Sequence, residues 1–189
     1  MNIEILSGSP RKDSVTFRVA LFLQKYLSEK TQHNTGIIDV REWQIPALLQ
    51  AGWATPDKAP EELRPMAERM FAADAFILVS PEYNGSYSGA LKNLLDYFPK
   101  QSRKAFAIST ASPGALGGIR AAQQMQLLIN ALFGIASPYM LVVPTVQNKF
   151  SEAGELTDAG FQKSIDVFVT EFLWLAESLN PVVEPAELV

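Results

Sequence analysis

The run Ala75-Phe76-Ile77-Leu78-Val79 is apolar without interruption and passes directly into Ser80-Pro81-Glu82-Tyr83-Asn84-Gly85-Ser86-Tyr87-Ser88-Gly89. A short continuous apolar run, rather than an alternating one, is what a strand buried on both faces needs, and such strands belong to parallel sheets covered by helices on either side. Pro81 ends the strand, and the polar loop carrying Gly85 and Gly89 leads into the amphipathic stretch Ala90–Phe98. On its own this is an ordinary strand-to-helix connection. In open α/β sheets, however, ligands bind beyond the carboxyl ends of the strands, where such loops lie.

The rest of the chain repeats the unit. Strands are expected at 3–7, 37–40, 75–80, 104–109 and 139–143, and helices at about 14–30, 60–73, 88–98, 119–133 and 157–178. The first helix shows an apolar face from Phe17 to Leu27 and a cap at Asp13 or Ser14. Gly36 reads as the punctuation before strand two. Pro60, Glu61 and Glu62 read as the first turn of the helix at 60–73, where proline and acids are favoured. In the last helix Phe161, Ile165, Phe168, Phe172, Leu175 and Leu179 recur at helical spacing. Residues 41–60 contain Trp43, Trp53 and three prolines with no period, which predicts a long loop. Strands alternating with helices through right-handed crossovers give an α/β fold: a flavodoxin-like, five-stranded parallel sheet of order 2-1-3-4-5 with helices on both faces. One domain over 1–180 and a C-terminal tail over 181–189 are expected, since 189 residues suit a single core.

Composition removes several kinds of chemistry. There is no cysteine, so disulfides, thiolate catalysis and cysteine metal sites are excluded. The one histidine, His33, lies in the polar stretch Glu29–Asn34 and reads as a loop residue. With a formal charge of −4 and no basic block, a nucleic-acid surface is not expected. The N-terminus lacks the pattern of a signal peptide, and no apolar stretch reaches the ~20 residues of a membrane span. A cytoplasmic protein without membrane contact is the expectation.

Three loops follow strands one, three and four, which this strand order gathers round one crevice. The first, Gly8–Thr16, has hydroxyls at Ser9, Ser14 and Thr16, the Arg11 guanidinium and a helix N-terminus including Val15. Free N–H groups, the positive end of the helix and a guanidinium suit a phosphate. The plainer alternative is that Ser14 only caps the helix and Arg11 is solvated. The second loop is Pro81, Glu82, Tyr83, Asn84 and Gly85. The third, Thr110-Ala111-Ser112-Pro113-Gly114-Ala115-Leu116-Gly117-Gly118, has three glycines that permit close approach to a flat group, or else form a flexible turn. Together the loops describe a phosphorylated planar ligand, and FMN fits that description best.

Gly8-Ser9-x-Arg11-x-x-Ser14, Pro81-Glu82-Tyr83-Asn84-Gly85-Ser86, Gly89-Ala90-Leu91-Lys92-Asn93-x-x-Asp96 and Gly117-Gly118-x-Arg120 resemble the NADPH-dependent FMN reductase family from residue 3 to about 143. The first two motifs, in this order and separation, are specific; the glycine loop alone is weak. The resemblance implies noncovalent FMN, with phosphate contacts from Ser9, Arg11, Ser14, Val15 and Thr16. Ring contacts would come from the backbone of Pro81 through Gly85 and from Thr110, Ser112, Gly114, Gly117 and Gly118. It also implies NADPH or NADH as donor, a small oxidant such as a quinone or azo compound as acceptor, and no catalytic acid or base or metal. Thr16 stands where many members carry Asn, and Ser88 where Pro is frequent, which implies a less rigid helix start. A homodimer or homotetramer is implied, and Trp43–Trp53 and Tyr87–Tyr97 offer apolar and aromatic side chains for its interface. The competing expectations are a flavodoxin-like electron carrier and an FMN-binding protein without nicotinamide turnover.

Overall fold

The computed structural model describes residues 1–49 and 52–180, so the tail expected over 181–189 lies outside the described residues. Strands β1 (Asn2–Ser7), β2 (Asn34–Asp39), β3 (Ala75–Ser80) and β4 (Ala105–Ala111) are joined through α1 (Val15–Lys30), α2 (Arg64–Ala72) and α3 (Gly89–Asp96). Helix α4 (Ile119–Ala131) leads to two short strands, β5 (Ile135–Ala136) and β6 (Leu141–Val143), and α5 (Gln162–Leu179) closes the described chain. All pairings are parallel, in the order β2-β1-β3-β4-β5, with β6 also on β4. This is the expected flavodoxin-like order.

Side-chain alternation divides the interior into two cores. On one face Leu6, Phe76, Leu78, Phe106 and Ile108 pack against Met66 and Met70 of α2, Leu91 and Leu94 of α3 and Met125 of α4. On the other, Ile3, Ile5, Ile77, Val79 and Ala107 meet Val19 and Leu23 of α1 and Phe168 and Phe172 of α5. Every residue of β3 is buried, because both of its faces are covered.

The structure redraws four expected boundaries. The last strand is interrupted: Ser137–Met140, four residues, stand opposite only Ala107 and Ile108 of β4. Pro138 falls in this bulge, where its missing N–H breaks no ladder bond. Helix α2 starts at Arg64, after a 3₁₀ turn over Glu61–Leu63, because Pro65 is tolerated only in the first helical turn. Helix α5 likewise follows a 3₁₀ turn, Ala159–Phe161, where the Gly160 N–H donates to the Asp158 carboxylate at 3.0 Å. Strand β2 begins at Asn34, so Gly36 lies inside it. A Cβ at Gly36 would stand 2.5 Å from Nη2 of Arg69, which reaches past it to pair with the buried Glu4.

His33 precedes β2, at the end of the sheet opposite the carboxyl ends of the strands, with Nε2 3.0 Å from Glu177. The apolar and aromatic side chains expected at an interface divide. Trp53 and Tyr97 are buried against each other with ring centroids 4.5 Å apart, whereas Leu49 is 90% exposed.

Candidate active site

The first loop leaves β1 at Gly8, whose N–H donates to the Val79 carbonyl at 2.8 Å. A Cβ on Gly8 would lie 2.8 Å from that of Leu91, so glycine here lets α3 pack against the loop. Ser14 caps α1, its hydroxyl accepting from the Phe17 N–H at 3.2 Å. That bond uses a lone pair and leaves the hydroxyl proton available, so capping and anion binding are compatible. Ser9 and Thr16 are each 2% exposed, while Arg11 is exposed. From the end of β2, Asp39 holds Arg41 through both Nε and Nη2, and Nη1 of Arg41 donates to the Lys12 carbonyl at 3.1 Å. This brace on the first loop was not recognised in the sequence, although an acid two residues before an arginine at a strand end is the signal that marks it.

The second loop is held at both ends. Tyr83 and Ser86 exchange backbone hydrogen bonds of 2.8 and 3.1 Å round Asn84 and Gly85, whose φ angles are 51° and 83°. Left-handed conformations at both central residues make this a type I′ turn, which Asn-Gly favours. Below it, the Ser88 N–H donates to Ser80 Oγ at 3.0 Å, and Ser88 Oγ accepts from the Leu91 N–H at 3.1 Å while donating to the Gly8 carbonyl. The looser helix start implied by Ser88 is therefore not what the structure shows: the hydroxyl caps α3 and latches the second loop to the first. The Glu82 carboxylate turns away to α4, accepting from the Arg120 N–H at 3.0 Å, the Ala121 N–H at 3.4 Å and Nη1 of Arg120 at 3.3 Å. Gly118, the residue before α4, has no side chain to do this. Glu82 thus joins loop two to loop three.

The third loop departs most from expectation. A Cβ at Gly117 would stand 2.6 Å from Val142 Cγ1, and one at Gly118 would stand 2.9 Å from Thr110 Cβ. With φ of 61° and 90°, these glycines serve a turn pressed against their own strands, and the neighbour in close approach is protein. Gly114 closes the loop on the segment after β6: its carbonyl accepts from the Thr145 N–H at 3.2 Å, and its N–H donates to Ser112 Oγ at 3.0 Å.

Between the loops lies a cleft of about 350 Å³, walled by Ser9, Arg11, Asp13, Ser14, Val15 and Thr16 of loop one. Pro81, Glu82 and Tyr83 come from loop two, and Ala111, Ser112 and Pro113 from loop three. Nine of the expected positions therefore converge: Ser9, Arg11, Ser14, Val15, Thr16, Pro81, Glu82, Tyr83 and Ser112. Asn84, Gly85, Thr110, Gly114, Gly117 and Gly118 do not line the cleft; they shape the turns around it. Asp13, Ala111 and Pro113 line it without having been singled out. Asp13 is exposed, and a carboxylate on this wall opposes an anion, which increases the weight on Arg11.

The residues fit FMN. The α1 N-terminus, with no acid in its first turn, offers N–H groups beside the Ser9 and Thr16 hydroxyls. At the other wall the hydroxyl of Tyr83 is buried without a hydrogen-bond partner, the state of a polar atom whose partner is a ligand or water.

The NADPH-dependent FMN reductase family model matches residues 1–152. The chain belongs to this family. It is accordingly an oxidoreductase of the kind that works with FMN and a reduced nicotinamide. Over 177 residues it is 30% identical to an FMN-dependent NADPH-azoreductase of Staphylococcus aureus, covering 89% of this chain and 92% of that protein. Its fold is similar to that of FerB, a flavoenzyme NAD(P)H:(acceptor) oxidoreductase from Paracoccus denitrificans (TM-score 0.75, 22% identity, 94% of this chain and 97% of that one). It is also similar to a flavodoxin from Pseudomonas aeruginosa (TM-score 0.59, 18% identity, 92% and 99%). Reductase and carrier share one fold, so the fold alone does not choose between them.

Proposed function

We propose that the domain over 1–180 binds FMN noncovalently in this cleft and passes electrons from NADPH or NADH to a small planar oxidant, a quinone or an azo compound. The observation that carries the reading is the convergence of the loops after β1, β3 and β4 on one cleft with a helix N-terminus in its wall. The phosphate falls to Ser9, Arg11, Ser14, Val15 and Thr16, and the ring to the backbone of Pro81, Glu82 and Tyr83 and to Ser112. FMN, when bound, supplies the hydride and electron transfer chemistry. The protein orients and encloses, so the lack of cysteine and the remote His33 take nothing from the reading.

On this reading donor and oxidant stack on the same open face of the ring and take turns, so steady-state kinetics are ping-pong. A stacking platform selects flatness more than hydrogen-bond pattern, and a broad acceptor range follows. As part of the same reading the protein is a cytoplasmic homodimer or homotetramer. Leu49 and the groove of Pro46, Ala47, Leu48, Trp53, Pro60 and Tyr97 offer apolar surface for the contact. Light scattering across micromolar concentrations tests the assembly, and a 20.8 kDa monomer throughout rejects it.

The test of function is direct. Protein loaded with FMN should absorb near about 450 nm, as flavins do, and bleach with NADPH or NADH. Parallel double-reciprocal lines with a quinone or azo dye support the shared platform, and intersecting lines reject it. Flavin that stays oxidised with both nicotinamides but accepts electrons from a reduced partner protein makes the chain a carrier. Failure to bind FMN rejects the reading outright.

A further inference from the structure

The guanidinium of Arg11 lies over the ring of Tyr83, 4.9 Å from its centroid. The two residues line the same cleft, one on the loop after β1 and the other on the loop after β3. Arg18, Arg41, Arg69 and Arg120 are each paired with an acid; among the described residues Arg11, Arg64 and Arg103 have no ion-pair partner, and of these only Arg11 lines the cleft, unpaired even though Asp13 is two residues away. Stacking occupies the flat face of a guanidinium and leaves its N–H donors free at the edge. Arg11 is thus positioned by an aromatic face and not by a carboxylate, which would have neutralised its charge.

We propose that Tyr83 is a specificity-determining positioning residue: its ring holds Arg11 ready for a phosphate and thereby sets the preference of the site for FMN over unphosphorylated riboflavin. This inference rests on the FMN reading above. An arginine on an exposed loop loses much side-chain freedom when it is fixed on an anion. Stacking on Tyr83 restricts that freedom beforehand, so less is lost when the phosphate arrives. The Tyr83 backbone is held by its two bonds to Ser86, and neither involves the side chain. Changing the ring therefore leaves the turn's own hydrogen bonds in place.

The experiment measures dissociation constants for FMN and for riboflavin by quenching of flavin fluorescence, on wild type, Tyr83→Phe, Tyr83→Leu, Arg11→Ala and the double variant Arg11→Ala/Tyr83→Leu. Any contact of Tyr83 with the isoalloxazine ring affects both ligands and cancels in their ratio. For an exposed cation–π contact, Tyr83→Leu should reduce the FMN preference about two- to fivefold. Tyr83→Phe, which keeps a ring, should retain the preference. In the Arg11→Ala background Tyr83→Leu should change the ratio no further, because the two residues act as a unit. An unchanged ratio in Tyr83→Leu overturns the proposal, as does an equal loss in the absence of Arg11. A loss in Tyr83→Phe as large as that in Tyr83→Leu would assign the effect to the hydroxyl and also overturn it. Wild-type protein that binds no FMN would instead reject the function itself, and this proposal with it.

Discussion

Replacing Ser88 by alanine removes one oxygen atom and two hydrogen bonds from a fully buried position. The cap on the Leu91 N–H contributes about 0.5–2 kcal/mol. The Gly8 carbonyl then lies in a buried residue without its hydroxyl donor, a state that costs about 1–3 kcal/mol. The two losses share one atom and do not add fully, so the expected destabilisation is about 2–4 kcal/mol. In a protein of this size each kcal/mol moves the melting temperature by about 2–4 °C, giving a drop of roughly 5–15 °C. Differential scanning calorimetry on the protein without FMN reads it directly. Ser86→Ala is the control, since Ser86 meets Tyr83 through its backbone, and its melting point should not move. A drop below about 4 °C in Ser88→Ala is no more than the cap alone accounts for and would mean that the latch to Gly8 contributes nothing. No drop at all would refute the whole chain of reasoning.

Arg11→Ala should weaken FMN about ten- to a hundredfold by loss of a charge-assisted bond, while riboflavin binding stays nearly constant in the same fluorescence titration. Glu82→Ala should cost about 1–2 kcal/mol in urea unfolding by uncapping α4, with Glu82→Gln intermediate because its amide oxygen still accepts from the two N–H groups. Gly36→Ala should cost about 1–3 kcal/mol in urea unfolding, because the new methyl group displaces Arg69 from Glu4 and leaves a buried acid poorly paired. The hydrogen bond from Tyr26 to Asp166, with burial and the Asp166 charge adding to it, pushes the Tyr26 phenol up to about 12. Its folded value lies above its unfolded one, so its contribution to stability is complete below about pH 10 and is lost as the pH rises towards 12. Tyr26→Phe should lack that part of the alkaline decline in stability, as read by thermal melts between pH 9 and about 12.

Much of the fold was legible because burial on both faces leaves a strong mark. A run such as Ala75–Val79 has no second reading in an alternating α/β chain, and the strand order follows from how crossovers pack. Errors fell where a residue's role depends on a neighbour distant in sequence. Gly36 looked like a strand boundary because nothing near it in the chain announces that Arg69 must pass that point to reach Glu4. The last strand is expected at Tyr139–Val143, which is as apolar as a strand, and the separate piece Ile135–Ala136 is missed. Only its register on β4 reveals the four residues set against two.

The site divides along the same line. Ser9, Ser14 and Thr16 were readable as cleft residues because they sit at a local device, the N-terminus of α1, that is recognisable whatever surrounds it. Glycine carries no such information: the absence of a Cβ is visible in sequence, but what fills the space is not. At Gly117 and Gly118 it is filled by Val142 and Thr110, so these residues serve the turn that leads into α4. Glu82 is the mirror case, a charged residue in a ligand-binding motif whose side chain serves the protein. It lines the cleft, and its carboxylate holds the N-terminus of α4, the helix that follows the third loop. Ser88 ties loop two to loop one, Glu82 ties loop two to loop three, and Arg41 braces loop one from the end of β2. Three polar bridges thus cross between separately encoded loops, and this cross-bracing fixes the walls of the cleft relative to one another.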